Sequence, residues 1–334
     1  MSTVFITGGT GFIGRVVVRF ARAAGLNLVV TTRSAEAASQ LSCDGGVRAL
    51  VCDLARPGAW QAEAARAEAI IHLAQPPTFG ARVTRERALA YRALRMRMDA
   101  FLLTSLDKSS VRRVVYVAGT SYYGDVGRSL QDESVTPNPR GWGPYVAPAI
   151  ETIPLYLARG LPIVQAFPGW VYGDGSWFRD YLLRPLAARK RYFTPSGPAR
   201  IVSPIHVDDC ARAILFLLDR GEIGARYFLV DDHPVESLDL ARCAAAALGV
   251  PLKTRTAPKL AVRIQAGPVV TESLMCDANL SNARLRALGF QFNFPSIESG
   301  IPRVVAEFRE RLSEEVAAPF AEGGDSAHHR ERTE

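Results

Sequence analysis

Val4-Phe5-Ile6-Thr7-Gly8-Gly9-Thr10-Gly11-Phe12-Ile13-Gly14-Arg15-Val16-Val17-Val18 decides the fold. An apolar run leads into closely spaced glycines, and a second apolar run with helical spacing follows. That order predicts strand, tight turn, helix. Gly8 and Gly9 let the chain turn where a side chain would clash. Gly11 lets backbone N–H groups approach a pyrophosphate at the helix N-terminus, where the helix dipole favours negative charge. Gly14 lets the helix lie close to the strand. A strand before the glycines and a helix after them is the context such a motif requires. Thr10, Phe12 and Ile13 belong to the same turn and are candidate cofactor contacts.

Outward from this turn, the first helix is expected to stop at Gly25. Leu28 to Thr32 reads as a second, β-branched strand. The residues just after it discriminate between dinucleotides: an acid there binds a ribose hydroxyl, an arginine a 2′-phosphate. Here Thr32 is followed by Arg33 and Ser34, with no acid before Glu36. The expected cofactor is therefore NADP(H), with NAD(H) as the alternative. A third strand, Val47 to Cys52, ends in Asp53-Leu54, where the Asp can cap the next element or bond an adenine amino group. Ile70 to Ala74 is the fourth strand, and Leu73, Ala74 and Gln75 lead over the cofactor. A helix is expected from Ala88 to Leu106, with Arg92, Arg95 and Arg97 on its solvated face. Val114 to Ala118 is the fifth strand. Strands alternating with helices at this spacing predict an α/β fold with a doubly wound parallel (Rossmann) sheet, the cofactor crossing the carboxyl ends of its strands.

The 334 residues are 48% hydrophobic and 22% charged, as in a soluble globular protein with ample core. The net charge of +7 is carried by arginines spread along the chain, which suits an anionic cofactor and gives no nucleic-acid footprint. Cys43, Cys52, Cys210, Cys243 and Cys276 form no CxxC pair, so free thiols in a reducing, cytoplasmic setting are expected, with no metal. No signal peptide is expected ahead of a glycine turn this near Met1, and no apolar run approaches a membrane span.

The chain resembles the short-chain dehydrogenase/reductase superfamily in its extended, epimerase/dehydratase-like branch. The resemblance rests on Thr7 to Gly14, Asp53-Leu54, His72-Leu73-Ala74, Tyr123-Gly124, Pro168-Gly169-Trp170-Val171-Tyr172-Gly173, Ile205-His206-Val207-Asp208-Asp209 and Leu280 to Phe290. It implies a Rossmann domain over residues 1–172 and a smaller, interleaved substrate-binding part over 173–320, with 201–230 returning to the Rossmann core. A polar tail, 321–334, is expected to be disordered. The resemblance also implies a homodimer. It brings Ala118, Pro168, Trp170 and Val171 to the nicotinamide.

Catalysis in this superfamily rests on a Ser or Thr, a Tyr and a Lys, the last two spaced YxxxK. Tyr145 is the matching tyrosine, a candidate for catalysis and for cofactor contact. Ala149 stands where the lysine belongs, and no lysine occurs between Lys108 and Lys190. Pro148 suits a helix start better than a helix interior. The hydroxyl position falls on Gly119, with Thr120 and Ser121 adjacent; Tyr122 and Tyr123 are rival donors. A tyrosine near pKa ~10 is only about 0.1% ionised at neutral pH. It serves poorly as a base but can still donate a proton, so reduction is the favoured direction.

Val202 occupies the place of a diphosphate-binding arginine, which argues against a nucleotide-sugar substrate; Arg200 is a loose substitute. His206, Asp208 and Asp209 read as a strand end and the lead-in to a helix from Cys210 to Leu218 rather than a metal site. Tyr122, Trp142, Trp170, Trp177, Phe178 and Tyr181 are expected around one pocket that takes an apolar or aromatic small molecule. The expected activity is NADP(H)-dependent reduction of a small carbonyl or conjugated compound. The alternatives are a non-redox isomerase, dehydratase or cyclase, and an NADP(H)-binding sensor.

Overall fold

A computed structural model describes residues 3–43, 45–77 and 82–321. Seven strands form one parallel sheet: β1 (Thr3–Thr7), β2 (Asn27–Thr32), β3 (Val47–Val51), β4 (Ala69–His72), β5 (Arg113–Val117), β6 (Ile163–Pro168) and β7 (Arg226–Leu229). Their spatial order is β7-β6-β5-β4-β1-β2-β3. The order reverses between β1 and β4, and a crevice opens there beyond the carboxyl ends of the strands. This is the expected doubly wound α/β architecture.

Both faces of the sheet are covered, so its strands are continuously apolar rather than alternating. On one face Val16, Val17 and Val18 of the helix Phe12–Ala23 pack with Ile6, Val30 and the helix Val207–Arg220. On the other, Phe5, Ile70 and Tyr116 meet Met98, Leu102 and Leu103 of the helix Arg85–Ser105. Each fully buried aliphatic side chain contributes roughly 1.5–3 kcal/mol. A third core joins Phe178, Leu182 and Leu183 to the helix Ser237–Leu248 and to Ile301, Val304 and Phe308, forming the smaller C-terminal part.

The outer edge of β7 is closed by side chains. Phe228 N donates to Glu133 Oε1 (2.8 Å), Asn282 Nδ2 to the Val230 carbonyl (3.0 Å) and Arg284 Nη1 to the Arg226 carbonyl (3.3 Å).

Three local expectations change. The helix expected from Ala88 begins at Arg85, because the Thr84 hydroxyl accepts from Arg87 N at 3.2 Å and caps it. The helix at 207–220 starts before Cys210, because His206 Nδ1 accepts from Asp208 N at 3.1 Å. Pro148 lies inside the helix Gly143–Ile150 rather than at its start; Pro144 takes that place. The N–H that proline lacks falls in the last turn, and the helix ends two residues later. Of the tail from Ala321, residues 322–334 lie outside the described residues.

Candidate functional site

The crevice is a cavity of about 530 Å³ running across the strand ends. Its centre is the glycine turn. Gly8 has φ +73°, and a Cβ there would stand 2.7 Å from Ala74 N; a Cβ on Gly14 would stand 2.0 Å from the Gly8 carbonyl oxygen. Gly11 is the N-cap of the first helix and supplies no side-chain cap, so the opening N–H groups are left for a ligand. Gly8, Thr10, Gly11, Phe12, Ile13 and Gly14 all line the cavity. The turn fits a pyrophosphate.

One arm of the cavity passes over β2 and β3 and is lined by Arg33, Asp53 and Leu54. Arg33 is exposed and makes no ion pair among the described residues. Asp53 accepts from Ala55 N at 3.0 Å and faces Arg56 at 3.6 Å. Ser34 does not line the cavity: its hydroxyl accepts from Ala37 N at 3.1 Å and opens the helix Ala35–Cys43. The other arm passes over β4, β5 and β6, where Leu73, Ala74, Gln75, Ala118, Ser121, Pro168 and Val171 line it.

Of the catalytic candidates only Ser121 reaches the cavity. Tyr145 turns away, packing against Val83, Ala88 and Val269, with its ring edge-on to Trp142 at 6.4 Å. The helix Gly143–Ile150 presents Val146 and Ile150 to the cavity instead, while Ala149 is buried. Thr120 caps a short turn with its carbonyl. Tyr122 and Tyr123 are buried against Phe167, and Tyr123 OH donates to the Glu133 carbonyl at 3.5 Å.

The expected single aromatic cluster separates into distinct groups. Trp142 lies edge-on to Tyr91 and Tyr145, Trp170 pairs with Trp177 at 5.2 Å, Phe178 is core, and Tyr181 is 63% exposed. None of Tyr122, Trp142, Trp170 and Trp177 lines the cavity. Arg200 is held by Asp277 at 3.0 Å, and Val202 is buried in the C-terminal core. The acids beside His206 are engaged in structure: Asp208 pairs with Arg19, and Asp209 accepts from Asn293 N and Phe294 N. Burial pushes His206 down to about 4. No cluster of metal-ligating side chains and no helix long and apolar enough to cross a membrane occurs among the described residues.

A buried network lies under the second arm. Arg95, expected on a solvated face, is only 3% exposed and lines the cavity. Its Nε donates to Asp99 at 2.8–3.0 Å, Nη1 to the Ala74 carbonyl (2.8 Å) and Nη2 to the Val117 carbonyl (3.3 Å). It thus ties the segment after β4 to the end of β5. Asp99 also accepts from Tyr116 OH and meets His72 Nε2 at 2.9 Å. Asp99 is ionised and can only accept, so the one proton of the neutral His72 ring sits on Nε2 and donates to it. Nδ1 is then the acceptor and takes the proton of the Thr7 hydroxyl (2.7 Å), which itself accepts from Ala74 N (3.2 Å). Burial lowers the His72 pKa and keeps the ring neutral. Burial alone would raise Asp99, but Arg95 and the two donors hold it below its ordinary value. The signal was present in the sequence: Arg95 shares a helical face with Tyr91 and Met98, and Asp99 stands four residues on.

Residues 4–229 match the NAD dependent epimerase/dehydratase family. The chain belongs to that family. Among curated relatives it is 28% identical to a 3-diazoavenalumate denitrifying reductase from a Streptomyces species, covering 90% of this chain and 99% of that one. It is 26% identical to a 4-hydroxy-2-methyl-3-oxo-4-farnesyl-3,4-dihydroquinoline-1-oxide ketoreductase from Stigmatella aurantiaca, covering 89% and 85%. Human epimerase family protein SDR39U1, solved with NADPH, superposes with a TM-score of 0.73 at 18% identity, over 91% of this chain and 99% of that one. UDP-glucose 4-epimerase from Thermus thermophilus, solved with NAD, gives 0.73 at 20%, over 92% and 99%. At these identities the structural likeness concerns the fold, that of the extended short-chain dehydrogenase/reductases.

Proposed function

We propose that this protein is an NADP(H)-dependent reductase of a small, largely apolar or aromatic carbonyl or conjugated compound. The observation that carries the reading is the gradient along the cavity. One arm is lined by Arg33, which has no acidic partner among the described residues; the other is lined by the apolar pair Val146 and Ile150 and by Ser121. In this reading the N–H groups that open the first helix hold the pyrophosphate. Arg33 takes the 2′-phosphate, and Asp53 and Leu54 flank the adenine. The bound cofactor supplies the hydride. Ser121 donates a hydrogen bond to the substrate oxygen and orients the carbonyl. Two relatives named as reductases, one of them a ketoreductase of a farnesylated dihydroquinoline, support this chemistry.

The test is incubation of the purified protein with NADPH and a panel of aromatic carbonyl compounds, following nicotinamide absorbance and product mass. Products heavier by two hydrogens, with matching NADPH loss, are expected. Products of unchanged mass, or lighter by one water, would replace the reductase by an isomerase or dehydratase.

A further inference from the structure

We infer that Tyr91 is the proton donor of this reduction, acting from the helix Arg85–Ser105, which packs beside the helix Gly143–Ile150 that carries Tyr145 and Ala149. The inference rests on the reductase reading above.

The helix Gly143–Ile150 offers the cavity two aliphatic side chains, Val146 and Ile150, and neither can donate a proton. The helix Arg85–Ser105 supplies Tyr91, Leu94, Arg95 and Met98 to the same cavity. Their spacing of three and four residues puts them on one face. Tyr91 and Arg95 are four apart, a phenol and a fixed cation one turn from each other. A tyrosine-lysine pair has the same spacing.

Tyr91 is 7% exposed, and its ring sits edge-on to Trp142 at 5.1 Å, which fixes its direction. Its hydroxyl donates to Gln75 Oε1 at 3.3 Å. That bond is long, and Gln75 is an exposed side chain on the cavity's rim, so a substrate oxygen can replace it at small cost. Arg95 is held by Asp99 and by the carbonyls of Ala74 and Val117 and stays in place through the reaction. Burial keeps the Tyr91 phenol protonated at rest, as a donor requires; the nearby Arg95 charge opposes that rise and the Asp99 charge adds to it.

The step balances as follows. NADPH, when bound, would supply a hydride to the carbonyl carbon, with the π pair of the C=O bond moving onto oxygen. That oxygen takes the Tyr91 proton as the phenolic O–H bond breaks. The phenolate regains a proton from water at the Gln75 rim.

Tyr91→Phe removes one hydroxyl from a ring that Trp142 still holds. With NADPH and phenanthrenequinone, kcat should fall about 100-fold or more, the range of a lost general acid. NADPH affinity, read by fluorescence, should stay within about twofold. A second readout needs no turnover. With the quinone bound to the NADP+-loaded protein, difference infrared should show the carbonyl stretch lowered in wild type and raised again in Tyr91→Phe. A variant that keeps kcat within about threefold, or leaves the stretch unmoved, overturns the assignment. So does one that loses NADPH affinity along with turnover, since that marks a packing role. A wild-type protein that binds NADPH yet reduces no carbonyl overturns the reductase reading itself, and the assignment falls with it.

Discussion

Replacing Arg33 by alanine should weaken NADPH binding and leave NADH binding almost untouched. Arg33 directly follows β2, is exposed, and lines the arm of the cavity that passes over β2 and β3. The carboxylate on the neighbouring strand end, Asp53, is already engaged by Arg56 and Ala55 N, and the Arg33 guanidinium has no acidic partner among the described residues. Between water-like screening and that near a protein surface, a pair of unit charges at ~4 Å is worth about 1–4 kcal/mol. An exposed arginine gives part of this back in lost hydration. The net value of a hydrogen bond to a charged group, about 1.5–3 kcal/mol, is therefore the better guide. That corresponds to a rise in Kd for NADPH of roughly 10- to 150-fold. The assay is a paired fluorescence titration of wild type and Arg33→Ala with NADPH and NADH, at low and high salt. The wild-type preference for NADPH should shrink with salt, because a phosphate held at an exposed site is screened. Equal losses for both dinucleotides, or no loss for either, would refute the argument and leave the pyrophosphate turn as the only supported contact.

Other outcomes follow from the buried groups. Arg95→Met leaves Asp99 buried with its charge uncompensated, which costs about 3–5 kcal/mol and should lower Tm by roughly 5–15 °C in a melting scan; a change under about 2 °C would show the network to be dispensable. Tyr145→Phe should keep kcat/KM within roughly threefold, because the ring faces Val83 and Val269; a loss near 100-fold would return Tyr145 to the mechanism. Burial, helped by Asp232 and Glu298 and opposed by a hydrogen bond from His233 N, pushes the Asp231 carboxyl up to about 8. The folded chain then keeps a proton that the unfolded chain loses near pH ~4, so this group's contribution to stability falls as pH rises from about 4 to 8. Asp231→Asn should thus gain on wild type between pH 5 and pH 8 in paired melts; a difference that does not change with pH would sink the idea.

Local chemistry made much of the fold legible. A glycine turn requires particular backbone angles and close approaches, and residues 4–18 state them outright. Strands covered on both faces appear as unbroken β-branched runs, as at Leu28 to Thr32 and Val114 to Val117. The site was legible only where backbone geometry decides it. The facing of Tyr145 depends on how the helix Gly143–Ile150 is rotated, and a one-residue difference in facing puts Val146 and Ile150 at the cavity instead. The charge of Arg95 suggests solvent, yet Tyr91, Leu94 and Met98 place it on an inward face with Asp99 as partner. The aromatics from Tyr122 to Tyr181 do not share one pocket. Their neighbours are set by long-range packing, which no local pattern encodes.

The closure of β7 bears on how the chain behaves among its copies. A strand at the margin of a sheet offers alternating N–H and C=O groups to any other extended chain. Here three of those groups, the Arg226 carbonyl, the Phe228 N–H and the Val230 carbonyl, are matched by side chains from elsewhere in the sequence: Arg284, Glu133 and Asn282. An incoming strand would have to displace all of them and leave the largely buried Glu133 carboxylate without its amide partner. The protein therefore carries a built-in stop to strand addition. It is assembled from residues 95, 52 and 58 positions away from the ones they pair with, so it exists only once the two halves of the chain have come together.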